Sequence, residues 1–192
     1  MSSTEPQTLT PEHRQILLDT ARQAIANGVH HGQPQKVRAG DYPEALRPDR
    51  ATFVTLREPG HQLRGCMGTS QAVRPLVEDV CRNAFSAAFL DPRFMPVGRS
   101  EVEGLSIQVS VLSPLEQIHP GSEEALLAMM RPGVDGLLIE EGPHRATLLP
   151  SVWEVLPETR VFLRELKLKA GLPPGYWALS LRVFRYTTEC FS

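Results

Sequence analysis

The sequence has little cysteine, no long apolar run and almost no net charge, and each shortage excludes a class of protein. Three cysteines in 192 residues are too few for a disulfide framework, and their spacings of 15 and 109 residues match no zinc motif. No apolar stretch approaches the about 20 residues that span a bilayer, and the first residues lack the features of a signal peptide. Twenty Lys and Arg against 22 Asp and Glu leave a formal charge of −2, so nothing draws the whole chain to nucleic acid or to an anionic membrane. We therefore expect a cytoplasmic globular protein.

Local patterns predict an α+β fold with a largely antiparallel sheet. Residues 1–9 are polar and are expected to form a flexible tail. A helix is expected to start at Thr10 and to stop at Asn27-Gly28, where glycine is typical of a helix end. Two β-hairpins are predicted, over 53–67 and 137–149, because short β-rich runs flank turn residues in both stretches. Helices and strands alternate without a regular βαβ order, which favours α+β.

Residues 63–69 (LRGCMGT) carry most of the chemical character of the sequence. Alternate residues of a strand share a face, so Arg64 and Cys66 are expected to point the same way. A cation beside a thiol favours the thiolate, which is the reactive form of cysteine. Gly65 and Gly68 add no side-chain bulk, so a ligand could approach the backbone closely and N–H groups could form an anion cradle. The segment predicts Cys66 and Arg64 as catalytic residues and the two glycines as substrate-binding positions.

A purely structural interpretation of the same segment stays open. Cys66 could be a small buried hydrophobe, and the glycines could mark a bulge or a turn. The other two cysteines have simpler explanations, since Cys81 lies on the apolar stripe of a predicted helix and Cys190 is two residues from the end. Cys66 is therefore the thiol on which a functional prediction rests.

The turn after the predicted second helix, Asp91-Pro92-Arg93-Phe94, offers a carboxylate, a guanidinium and an aromatic ring. Asp91 and Arg93 could line a cleft, or they could form an ion pair that closes the loop. Phe94 fits an apolar plug, and we include it with Asp91 and Arg93 as a candidate substrate-binding residue. Glu101 and Glu103 are candidate acids that an exposed acidic loop explains equally well.

The sequence offers no recognisable site for a metal or a cofactor. His30 and His31 are adjacent, and neighbouring histidines on a loop rarely face one metal. No glycine-rich phosphate loop follows a strand, and a radical SAM cluster would need three closely spaced cysteines. We predict neither metal nor cofactor.

The stretch 53–56 (FVTL) followed by 63–69 (LRGCMGT) is similar to the signature of the AMMECR domain family. Its bacterial members are also called AmmeMemoRadiSam system protein A. Further blocks resemble the family in order along the chain, namely 84–89, 91–94, 105–112, 133–136, 149–153 and 169–171. The resemblance runs from about residue 10 to 187, so residues 10–192 are identified as a single AMMECR-type domain.

This resemblance implies a larger and a smaller lobe, with the cysteine segment near a cleft between them that could hold a small molecule. It implies two protein partners, a Memo-like protein of the extradiol-dioxygenase fold and a radical SAM protein, and no particular reaction. Many members carry His where this chain has Asp135, so a Cys–His pair built on that position is not available. A base for Cys66 would then have to be His61 or His144.

Three functions remain to be compared. The first is a cysteine-dependent enzyme or substrate handler that works with the two partners through Cys66. The second is a non-enzymatic adaptor or scaffold for the same partners, favoured by the lack of a complete set of nucleophile and base. The third, nucleic-acid binding, is suggested only by the 17 arginines against three lysines, and the near-neutral charge and 6% aromatics oppose it.

Overall fold

The computed structural model describes residues 9–192, and the chain forms two compact units. The first unit runs to Leu112 and includes Glu189–Ser192, and the second unit comprises Ser113–Thr188. The predicted tail, residues 1–9, lies outside the described residues except for Leu9, which is buried in the core of the first unit.

Within residues 9–192, the main elements of the two units are four α-helices and eight strands. The helices are α1 (Pro11–His31), α2 (Leu76–Phe89), α3 (Glu123–Met129) and α4 (Thr159–Lys169). The strands are β1 (Thr52–Arg57), β2 (Leu63–Gly68), β3 (Ser106–Leu112), β4 (Glu116–Ile118), β5 (Gly136–Glu141), β6 (His144–Leu148), β7 (Arg182–Tyr186) and β8 (Thr188–Phe191). The strands form two four-stranded sheets, ordered β2-β1-β3-β8 and β4-β7-β5-β6. The α+β prediction is confirmed.

The first unit packs α1 and α2 together over one face of its sheet. Buried side chains alternate along β1, where Val54 and Leu56 face the helices while the residues between them lie on the other face. The hairpin of β1 and β2 is antiparallel, as predicted, and its register places Thr55 opposite Cys66. β2 is one of the two edge strands of this sheet, so within residues 9–192 one side of its backbone has no strand to pair with.

The predicted end of α1 is wrong by about one turn. The helix starts as expected, with the Thr10 hydroxyl accepting a hydrogen bond from the His13 amide, but it continues past Gly28 to the left-handed Gly32. A Cβ at Gly28 would overlap the ring of Phe89 on α2. Gly28 therefore allows the two helices to approach closely, and the sequence alone does not distinguish this role from that of a helix terminator.

The second unit has its own core between its sheet and its helices. The indole of Trp153 stacks on the ring of Phe162 with centroids 3.9 Å apart, and its N–H donates to the carbonyl of Asp135. The hairpin of β5 and β6 is the second hairpin predicted from the sequence.

Among residues 9–192 no helix combines the length and the apolar character that crossing a membrane requires. The single domain and the cleft between lobes stay predictions.

Candidate functional site

Cys66 lies on the face of β2 that points away from the helices. Its neighbour Gly65 faces the other way, where a Cβ would overlap the carbonyl oxygen of Ala87 on α2. Because side chains alternate along a strand, Arg64 and Cys66 share the outer face, as the sequence predicts. The two Cα atoms of such a pair are about 7 Å apart. The thiol of Cys66 is half-buried and free.

The sulfur of Cys66 accepts a hydrogen bond from the hydroxyl of Thr55, with the two atoms 3.3 Å apart. This contact follows from the hairpin register, which places the two residues directly opposite each other. A donor aimed at sulfur stabilises negative charge on it, because the thiolate is a stronger acceptor than the thiol. Thr55 is thus part of the site, and counting residues from the turn does not identify it, because the register shifts between Leu56 and Arg57.

Two side chains hold the backbone of Cys66 on the unpaired side of β2. The amide N–H donates to Oδ2 of Asp91 at 2.9 Å, and the carbonyl oxygen accepts from Nη2 of Arg93 at 3.3 Å. These contacts take the place of a neighbouring strand. We call this arrangement of Asp91 and Arg93 the clamp.

The clamp is itself a tight ion pair. Arg93 donates from Nε to Oδ1 of Asp91 at 2.9 Å and from Nη2 to Oδ2 at 2.7 Å, the two-pronged geometry that arginine and carboxylate favour. The hydrogen bonds from the Arg93 side chain hold the pKa of Asp91 far below its ordinary value, and the Cys66 amide lowers it further. The hydrogen bonds to Asp91 raise the pKa of Arg93. The charge of Arg93 is therefore paired with Asp91, while its Nη2 also donates to the Cys66 carbonyl and so lies beside the cysteine.

Arg64 has a different partner from the one expected. Its side chain is only 8% exposed, and its guanidinium binds both carboxylate oxygens of Glu101, at 2.8 and 3.3 Å. Hydrogen bonds from Arg64, and then from the Gly98 amide, lower the pKa of Glu101. The positive charge of Arg64 is thus largely balanced by Glu101. Within residues 9–192, Nη1 of Arg64 is buried without a hydrogen-bond acceptor.

Phe94 lies beside both guanidinium groups. The centre of its ring is 6.0 Å from Cζ of Arg64 and 5.4 Å from Cζ of Arg93. At these distances the electron-rich face of a ring attracts a cation. Phe94 thus lies between Arg64 of the cysteine segment and Arg93 of the clamp, a role beyond the apolar plug that its sequence position indicates.

The two glycines of the segment allow neighbouring parts of the first unit to pack closely against β2. The position of a Cβ at Gly65 is taken by Ala87 of α2, and the position of a Cβ at Gly68 is taken by the ring of Phe53 and the carbonyl of Thr52. Both glycines lie in the regular part of β2, and neither has a positive φ. Their role as substrate-binding positions stays a prediction, whereas their packing role is visible.

All seven candidate residues lie in the first unit, and five of them, Arg64, Cys66, Asp91, Arg93 and Phe94, form one connected group. Sequence reasoning missed Thr55 and left Glu101 undecided. Glu101 is separated from Arg64 by 37 residues, and no local pattern pairs the two. The sequence marks Glu101 only as an acidic side chain that could pair with Arg64. Many other acidic residues share that property, so it does not single out Glu101.

The histidines considered as bases have other surroundings. His61 occupies the turn between β1 and β2 with φ of 67°, and its carbonyl accepts a hydrogen bond from Arg57. In the second unit, Nδ1 of His144 is 2.9 Å from the carbonyl oxygen of Ala170. Within residues 9–192 the hydroxyl of Thr55 is the one hydrogen-bond partner of the Cys66 sulfur.

Asp135, which stands where many family members have histidine, is fully buried. Its carboxylate accepts hydrogen bonds from the amide and the guanidinium of Arg131, so it closes the turn that leads into β5. This self-contained ion pair gives Asp135 a structural role within the second unit.

The other two thiols differ from Cys66. Cys81 is buried on α2, as predicted, and burial raises its pKa to about 11. Cys190 is exposed, and its sulfur is 3.2 Å from the hydroxyl of Ser110. No group of three or more His, Cys, Asp or Glu side chains arranged to bind a metal occurs in the described part of the chain.

The fold and the site together define a class of protein, an α+β chain of two units whose outermost strand carries a clamped arginine-glycine-cysteine segment. The AMMECR1 family matches residues 18–191, and the chain belongs to this family. It is 36% identical to protein MJ0810 of Methanocaldococcus jannaschii over 190 residues, which cover 95% of this chain and 91% of that protein. A protein of Thermococcus onnurineus is 39% identical, again over 190 residues, with 94% and 90% of the two chains covered.

A solved structure extends the likeness to three dimensions. The crystal structure of the uncharacterized protein PH0010 from Pyrococcus horikoshii is similar with a TM-score of 0.86 and 35% identity. The match covers 95% of this chain and 92% of that one. The resemblance drawn from the cysteine segment is therefore confirmed at the level of family and fold.

Proposed function

We propose that this protein handles a substrate through the thiol of Cys66, as a nucleophile or a covalent carrier, together with a Memo-like protein and a radical SAM protein. The observation that carries the proposal is the half-exposed thiol beside Arg93, on a residue whose backbone the clamp fixes. The two partners rest on the family resemblance. We place the reaction in the reducing cytoplasm, where the thiols of Cys66 and Cys81, which form no disulfide within residues 9–192, would stay reduced.

The chemistry requires a thiolate, a fixed position and a place for the substrate. The Thr55 hydroxyl and the Arg93 guanidinium stabilise negative charge on the sulfur, and the clamp limits movement of the strand. Because Cys66 is only half-buried, a substrate can approach this face of β2.

Alkylation by iodoacetamide tests the thiol directly, because the sulfur displaces iodide and leaves a stable S–C bond. At pH 7 we expect Cys66 of the folded protein to react faster than the same thiol in the urea-unfolded chain. Cys81 serves as an internal control, and it should label only on unfolding because it is buried with a raised pKa. Peptide mass spectrometry measures both rates in one sample. A Cys66 that is shielded until the chain unfolds, or no faster when folded, contradicts the proposal.

The role of the neighbouring cation is tested by Arg93→Gln. We expect alkylation of Cys66 to slow about fivefold, since two unit charges a few ångströms apart in water attract by about 1 kcal/mol. Arg22→Gln is the matched control, because Arg22 is exposed on α1 in the same unit and the charge change is identical. Equal rates in the two variants would remove Arg93 from the mechanism.

A second function, that of an adaptor for the same two proteins, is favoured by exposed apolar side chains beside the clamp. Leu90 and Met95 flank the 91–94 turn and are 59% and 81% exposed. Apolar side chains of this size at a surface are typical of contact sites for other proteins. In this function the clamp and the cysteine strand form a rigid support, and the thiol does no chemistry.

Binding measurements distinguish the adaptor from the substrate handler. We expect Leu90→Ser combined with Met95→Ser to weaken binding of purified Memo-like or radical SAM protein at least tenfold, with alkylation of Cys66 unchanged. Val73→Ser is the control, because Val73 is also an exposed apolar residue of the first unit. If neither partner binds at micromolar concentration, or if the double variant binds normally, the adaptor function is contradicted.

A further inference from the structure

A cavity of about 390 Å³ lies in the first unit, between α2 and the segment that follows α1. Its volume is in the range of sites that bind small molecules. The lining residues include four cations, one carboxylate and a partly apolar wall, namely Pro34, Gln35, Lys36, Val37, Arg38, Arg74, Glu78, Cys81 and Arg82. The chain as a whole has a formal charge of −2, so this concentration of positive charge is local.

Three of the four cations have no partner within residues 9–192. Lys36, Arg38 and Arg82 are exposed and form neither an ion pair nor a side-chain hydrogen bond there. Arg74 is held by the buried carboxylate of Asp79 at 3.0 Å. After subtraction of the one lining carboxylate, Glu78, the three unpaired cations leave a formal charge of +2 facing the cavity.

The walls of the cavity are held in place without a ligand. Oε1 of Glu78 accepts a hydrogen bond from the amide of Ala39 at 3.0 Å. The thiol of Cys81 donates to the carbonyl of Gln35, with 3.5 Å between sulfur and oxygen. Both bonds tie the 34–39 segment to α2, so the backbone of the site is formed before binding and the ordering cost falls on the exposed cationic side chains.

We propose that this cavity binds a phosphorylated small molecule, whose phosphate oxygens accept hydrogen bonds from Lys36, Arg38 and Arg82. A phosphate monoester carries a charge of about −1.5 to −2 near neutral pH, which matches the +2 of the unpaired cations. Arginine pairs with phosphate through two parallel hydrogen bonds. Val37 and Pro34 offer apolar contact to the organic part of the ligand.

Two observations favour a small molecule over nucleic acid. Among residues 9–192 no aromatic side chain lines the cavity, so this part of the chain offers no surface there on which a base could stack. The cations lie around one open cavity and form no basic run along the sequence, whereas a polynucleotide backbone requires an extended basic stripe. The site is independent of Cys66, because it is built on the first half of α2 while the clamp follows the end of that helix.

Titration with phenyl phosphate, followed by ¹⁵N NMR of the whole chain, tests the proposal. We expect saturable binding with shifts confined to 34–39 and the first half of α2. Arg38→Gln and Arg82→Gln should each weaken binding about tenfold, which is the effect of losing one charge-assisted hydrogen bond. Both side chains are exposed, so neither variant should impair folding. Arg160→Gln in the second unit removes the same charge from an exposed helix and should leave binding unchanged.

Several results would overturn the proposal. These are no saturable shift with phenyl phosphate, shifts elsewhere in the chain, or equal weakening by Arg160→Gln and the two cavity variants. Binding of a short RNA at the same residues, without binding of phenyl phosphate, would assign the cations to a polynucleotide. Cys66→Ser should bind phenyl phosphate normally, which separates this outcome from that of the thiol experiments.

Discussion

Gly65→Ala is expected to destabilise the first unit by about 3 kcal/mol, at the upper end of the cost of overpacking a core. The added methyl would overlap the carbonyl oxygen of Ala87 and lie 3.1 Å from its carbonyl carbon. Both atoms belong to the α2 backbone, which cannot turn aside as a side chain can. The strand that carries Cys66 would have to move away from the helix. Chemical denaturation followed by circular dichroism measures the free energy of unfolding.

Gly40→Ala is the matched control for this substitution. Gly40 lies in the same unit, its φ is not positive, and no atom lies within 4 Å of a Cβ built there. Its stability should stay within about 0.5 kcal/mol of the parent chain, as for most surface substitutions. If Gly65→Ala fails to fold while Gly40→Ala is normal, the packing argument holds in its strongest form. Equal stability of the two variants would contradict it.

Asp91→Asn is expected to cost about 2 kcal/mol, because hydrogen bonds to a charged group contribute about 1.5–3 kcal/mol and this carboxylate is buried. The variant keeps the shape of the side chain but loses the charge that binds Arg93 and the amide of Cys66. Hydrogen exchange at the Cys66 amide should become faster along with the loss of stability. Asp19→Asn on the exposed face of α1 is the control, and both quantities should stay unchanged there.

The pH dependence of that difference follows from the depressed pKa of Asp91. A carboxyl group whose pKa is lowered on folding stabilises the protein fully above its unfolded pKa, about 3.9 for aspartate. That stabilisation is lost as the pH falls further toward the folded pKa. The difference in unfolding free energy between the parent chain and Asp91→Asn should therefore be constant from pH 7 to about 5 and shrink below about 4. A difference that persists unchanged to the lowest pH would contradict the clamp.

Local sequence patterns predict a helix or a strand well where the residues of that element alone determine it. The first hairpin and α2 have their own periodicity and turn residues, and both occur as expected. The predicted end of α1 is wrong because Gly28 makes room for the rings of Phe85 and Phe89, which lie more than 50 residues away in the sequence. A glycine that admits a second helix and one that stops a helix have the same local sequence.

The candidate site shows the same division. The shared face of Arg64 and Cys66 follows from the strand period, and the proximity of the 91–94 turn follows from the family resemblance. The partner of each charge is set by the tertiary fold, since Arg64 binds Glu101 while Arg93 binds Asp91 and the Cys66 carbonyl. The cationic cavity could not be predicted from the sequence either. Its four cations are spread over positions 36–82 and form no basic run in the sequence.

The clamp also bears on solubility. An outermost strand with free N–H and C=O groups is a template onto which a second chain can add, and such addition leads to aggregation. Here two side chains occupy the outward N–H and C=O of Cys66, so an incoming strand would have to displace an ion pair before it could pair at that point. Only strong acid protonates Asp91, since Arg93 holds the pKa of that carboxyl far below its ordinary value, and at such a pH the exposed Leu63 on the same strand would favour association of copies. The residues that position the thiol therefore also oppose the addition of a strand at this point of the sheet edge.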